Sequence, residues 1–129
     1  MPWNAKNGSV KIDNTEMYYV SFGHGSKNLI VLPGLSDGLL TVKGKALLLA
    51  GAYTKYFNDY TVYMFSRKND MPEGYSIRDM AADQAKALQA LGITKTSVMG
   101  VSQGGMIAQF LAIDYPELVE KLVITVSAP

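Results

Sequence analysis

The chain has 129 residues, 48% of them hydrophobic, with 12 lysines and arginines against 11 aspartates and glutamates for a formal net charge of +1. A chain this long and apolar can bury roughly two thirds of its unfolded surface as one domain, which argues against disorder, and its evenly spread charge leaves no basic face for nucleic acid. The absence of cysteine excludes disulfides, thiolate catalysis and cysteine-ligated zinc, and a single histidine argues against a histidine-built metal centre, so no metal or cofactor is expected.

The N-terminus, Met-Pro-Trp-Asn-Ala-Lys-Asn-Gly, has no apolar leader segment, and the longest apolar runs fall far short of the roughly 20 residues that span a bilayer. No membrane partner is expected, and the cytoplasm is the default location. Gly8 to Ile12 and Met17 to Phe22 are short β-rich runs joined through Asp13-Asn14-Thr15, which predicts an antiparallel hairpin. A second turn, Gly23-His24-Gly25-Ser26, leads into Asn28 to Leu32. That apolar run, ended by Pro33-Gly34, has the character of a strand buried on both faces. Thr61 to Phe65, Ser97 to Val101 and Lys121 to Val126 share it.

Helical segments fall between these strands. One is expected within Leu39 to Phe57, although Gly44 and Gly51 weaken it by roughly 1 kcal/mol each. A second runs from Ile77 to Leu91, with Ile77, Met80, Ala81, Gln84, Leu88 and Leu91 on one stripe, Ser76 and Asp79 as a capping box, and Gly92 closing it. A third runs from Gln103 to about Tyr115, with Met106, Ile107, Phe110 and Leu111 as its buried stripe and Pro116 where it must break. Strand and helix alternate, which predicts an α/β fold: a mainly parallel sheet with helices on both faces and an N-terminal antiparallel hairpin, in a single domain over 1–129.

The chemistry-bearing stretch is Val98-Met-Gly-Val-Ser-Gln-Gly-Gly-Met106, a Gly-x-Ser-x-Gly pattern that leaves a strand and opens a helix. Gly100 and Gly104 flank Ser102 where a sharp strand-to-helix turn leaves no room for Cβ atoms. Such a turn holds the serine hydroxyl clear of the sheet. Gln103 opens the helix, and its backbone N–H lies where unpaired donors and the helix dipole favour a developing negative charge.

In their order these features resemble the α/β-hydrolase fold family: a hairpin, a Pro-Gly turn after the next strand, the serine elbow after the fifth, and Asp114-Tyr-Pro-Glu-Leu-Val119 leading into a further strand. The resemblance covers essentially all 129 residues. It implies that Ser102 is the catalytic nucleophile and that the backbone N–H groups of Leu35 and Gln103 form the oxyanion hole. The substrate class it implies is a small carboxylic ester, thioester or amide, attacked through an acyl-serine. Serine at the elbow, in place of aspartate, argues against epoxide and haloalkane chemistry. Perhydrolase or haloperoxidase activity stays open.

The family's triad acid and histidine follow later strands, in the order serine, acid, histidine, and have no counterpart before Pro129. Nor has its specificity-determining cap. The chain therefore reads as the N-terminal portion of such a core, weak or inactive alone. The exposed edge that would remain after the sixth strand predicts a homo-oligomer or a partner chain that supplies the missing half. His24 sits in the turn before the third strand, roughly 15 Å or more from Ser102, and is read as a solvated turn residue. Asp79 and Asp114 read as capping or surface groups, and Arg67 carries no catalytic role.

Two other readings compete. A non-catalytic module that binds a ligand or partner would suit the missing base. A Rossmann-like nucleotide site fails on spacing, because position 102 is serine where G-x-G-x-x-G needs glycine.

Overall fold

The structure is a computed structural model that describes residues 4–32, 58–66, 74–101 and 103–125. It contains six strands, β1 Lys6–Ile12, β2 Thr15–Gly23, β3 Lys27–Leu32, β4 Tyr60–Phe65, β5 Thr96–Val101 and β6 Val119–Thr125, and two helices, α1 Ile77–Ala90 and α2 Gln103–Asp114. The strands form one sheet in the order β1-β2-β4-β3-β5-β6. β1 pairs antiparallel with β2 and β2 antiparallel with β4, while β4, β3, β5 and β6 run parallel to one another. The mainly parallel sheet and its antiparallel hairpin are as expected from the sequence.

The hairpin turn is tighter than Asp13-Asn14-Thr15. Thr15 already pairs with Ile12, so two residues make the turn. Asp13 and Asn14 hold φ of 47° and 65°, the left-handed geometry that matches the twist of the flanking strands and that short Asx side chains tolerate. β6 begins at Val119, two residues before the expected start, because Thr96 in β5 already pairs there.

The apolar run of β3 splits between two cores, as a strand covered on both sides requires. Ile30 and Leu32 join Met17, Phe65, Val98 and the helix residues Ala81, Leu88, Ile107 and Leu111 on one face. Leu29 and Val31 join Val20, Phe22, Val62 and Met64 on the other. Both described helices lie on the first face. The helix expected within Leu39 to Phe57 falls outside the described residues.

Helix α1 follows its sequence closely. Ser76 Oγ accepts from the Asp79 N–H at 3.0 Å, and Asp79 Oδ2 accepts from the Ser76 N–H at 2.9 Å, so both halves of the capping box form. Of its expected stripe Ala81, Gln84 and Leu88 are buried and Ile77, Met80 and Leu91 half-buried, while Asp83, Ala85 and Ala87 are buried as well. The Tyr75 hydroxyl donates to Asp83, which gives that buried carboxylate one partner.

Helix α2 departs from expectation in its rotation. Ile107 and Leu111 are buried, but Met106 is 50% exposed and Phe110 only half-buried, while Gly104, Gly105 and Ala108 face inward. The helix is apolar on nearly all sides, so periodicity could not choose its buried face. The small residues Gly104, Gly105 and Ala108 chose it, because they let the helix lie close to β5 and β6.

Candidate active site

The strand order reverses at β3, which lies between β4 and β5 although β4 and β5 follow it in the chain. In an open parallel sheet the loops leaving two strands at such a reversal part to opposite sides, and the crevice between them is where ligands bind. Register fixes which loops these are. Leu32, the last residue of β3, is level with Gly100 near the end of β5. Adjacent strands lie about 4.8 Å apart, so the chains leaving β3 and β5 start side by side at one end of the sheet.

Position 102 follows β5 and position 35 follows β3. Ser102 and Leu35 themselves lie outside the described residues, as does Arg67. What flanks position 102 is informative. A Cβ on Gly100 would stand 2.6 Å from the Gly104 carbonyl oxygen and 2.6 Å from the Gly105 Cα. Both contacts are with backbone, which has no flexible end to move, so the end of β5 tolerates only glycine against the first turn of α2. The chain doubles back within four residues.

The crowding falls on Gly100 and Gly105. Gly105 meets the sheet from the other side, where an added Cβ would lie 2.9 Å from Ile124 Cγ2 in β6. Gly104 is buried and supplies the carbonyl that Gly100 faces. Gly105 was not singled out in the sequence, although the Gly104-Gly105 pair itself was the available signal.

Gln103 is the first residue of α2. The first N–H groups of any helix lack partners within it, so this end of α2 presents donors beside position 102. Its side chain is less simply explained: Gln103 Oε1 is buried and has no hydrogen-bond partner.

His24 is exposed and precedes Lys27, the first residue of β3. Five strand steps, roughly 16 Å, separate Lys27 from Leu32 at the level of the elbow. The structure thus keeps the one histidine at the opposite end of the sheet. Gly25 fixes that end, since a Cβ there would sit 2.0 Å from the Asp59 carbonyl carbon.

Asp114 is paired with Arg78 from α1, through Nε at 2.8 Å and Nη2 at 2.5 Å, and the same guanidinium lies 5.1 Å from the centre of the Phe110 ring. The hydrogen bonds from Arg78 hold the Asp114 carboxyl below its ordinary range, and Asp114 in turn raises Arg78. This is a surface clamp between the two helices.

A cavity of about 300 Å³ lined by Gln89, Gly92, Ile93, Thr94, Glu117 and Leu118 lies where β5 and β6 begin, away from the elbow. Among the described residues no group of three or more histidines and carboxylates stands ready for a metal, and no helix is long and apolar enough to cross a membrane.

Known proteins share this fold. The sequence profile of the alpha/beta hydrolase fold matches residues 29–129. The chain is 30% identical over 122 residues to the human serine hydrolase BPHL, covering 92% of this chain and 42% of that protein. It is 51% identical over 49 residues to a homoserine O-acetyltransferase of Thermus thermophilus, covering 38% of this chain and 13% of the other. The crystal structure of Cfl2 from Burkholderia cenocepacia superposes with a TM-score of 0.79 at 16% identity, over 94% of this chain and 41% of that one, a likeness of fold alone. The chain spans less than half the length of these relatives. A profile match that runs from β3 through β5 and α2 to β6, on a sheet whose order reverses at β3, makes this chain a member of the alpha/beta hydrolase fold family.

Proposed function

We propose that this chain carries the nucleophilic portion of a serine hydrolase that acts on a carboxylic ester, thioester or amide through an acyl-serine at Ser102. The observation that carries the reading is the glycine-only contact of Gly100 with the Gly104 and Gly105 backbone, at the end of the strand beside β3. A turn that tight is built to present the residue between its arms. Ser102 Oγ bonds to the carbonyl carbon, the bond to the alkoxide, thiolate or amine leaving group breaks, and the serine proton passes through a general base to that group. Water then repeats the attack and frees the acid. The N–H groups of Gln103 and Leu35 donate to the oxygen that turns negative.

The base is not His24, which stands at the far end of the sheet. It comes from a second chain or from further sequence, and the isolated 129 residues are weakly active or inactive. β6, an edge strand with Leu122, Val123 and Ile124 exposed, is the surface over which a second copy or a completing chain packs. A cytoplasmic location belongs to the same proposal and is tested by cell fractionation.

Intact-mass analysis after exposure to a fluorophosphonate tests the reading, with Ser102→Ala as control. One adduct, lost in the variant, is the expected result. No adduct on folded protein, alone or with a completing chain, overturns it. The position of His24 favours one second reading, a non-catalytic hydrolase-like module that binds a ligand or partner, and that outcome would select it.

A further inference from the structure

We draw no further inference here: the strongest candidate, the apolar surface patch at which β6 exposes Leu122, Val123 and Ile124 beside Met106 and Ile113 of α2, belongs to the contact surface already described, and nothing in the structure shows what covers it.

Discussion

The two edges of the sheet are unlike. β1 turns Lys6, Asn7, Ser9 and Lys11 to solvent while Val10 and Ile12 are buried, and charged side chains along an edge discourage a further strand from pairing there. β6, at the other edge, exposes Leu122, Val123 and Ile124 at 39%, 49% and 38%, beside Met106 and Ile113 of α2 at 50% and 65%. In composition β6 resembles β3, whose Leu29 to Leu32 are at most 4% exposed between two neighbours. Both edges carry charge, Lys6 and Lys11 on β1 and the exposed Glu120 and Lys121 on β6, but only β6 adds a run of exposed apolar side chains, Leu122 to Ile124. The end of β5 and helix α2 sit toward the β6 side, so the part of the molecule that carries the proposed chemistry is also the part with unmatched apolar surface.

The largest expected effect comes from breaking the elbow side alone. Gly100→Ala places a Cβ against two backbone atoms at 2.6 Å, and relief requires α2 to move off β5. A cost of about 3 kcal/mol or more is expected. Hydrogen exchange should accelerate in α2 and β6 while the β1–β2 hairpin keeps its protection; equal loss at both edges would show that the two sides are one cooperative unit. Gly105→Ala is the contrast. Its Cβ would lie 2.9 Å from Ile124 Cγ2, the branch methyl of a stiff β-branched side chain on the exposed edge, so Ile124 must move. Alanine's gain of about 1 kcal/mol in a helix offsets part of that, and a loss clearly smaller than that of Gly100→Ala is expected from thermal melts.

A middle-sized effect concerns association. Val123→Lys carries the charge of Glu120 and Lys121 into the apolar run of β6, and sedimentation equilibrium should show self-association weakened by about tenfold. Lys11→Val makes the opposite change at β1 and should promote association there. A wild-type chain that stays monomeric at high concentration would remove the second copy from β6 and leave a completing chain as its one proposed partner.

The smallest effect is at the Arg78–Asp114 clamp. Because Arg78 holds the folded-state carboxyl below its ordinary value near 3.8, its contribution is present above that pH and is lost as pH falls through the lowered value. Asp114→Asn should lower Tm slightly at neutral pH and not at all in strong acid. Both groups are on the surface, so a drop of many degrees would mean that the clamp holds more than the two helices.

Much of this was legible in the chain because it is local. The alternation of apolar runs with capped helical stripes located five of the six strands to within two residues of their ends and β6 to within two at its start; Val126, its expected end, lies outside the described residues. The Ser76–Asp79 box encodes its own geometry within a few residues, as does the close approach of Gly100 to the first turn of α2. Three features were not legible. The buried face of α2 was misassigned at Met106, since an apolar helix has no polar side to orient it. Burial of Asp83 depends on Tyr75 lying close enough to donate to it. Gly105 matters through Ile124, nineteen residues away and in another element.

Sequence alone determined the α/β alternation, the hairpin and the glycine at the close approach of β5 to α2, because each follows from short-range sterics or periodicity. Only the tertiary structure decided that β3 lies between β4 and β5, that the loops after β3 and β5 therefore start side by side, that His24 is held at the other end, and that β6 forms an apolar edge. Those are matters of which distant segments pair. Every apolar strand in this chain carries much the same pattern, so pairing is selected by the joint packing of all of them and by no one of them alone.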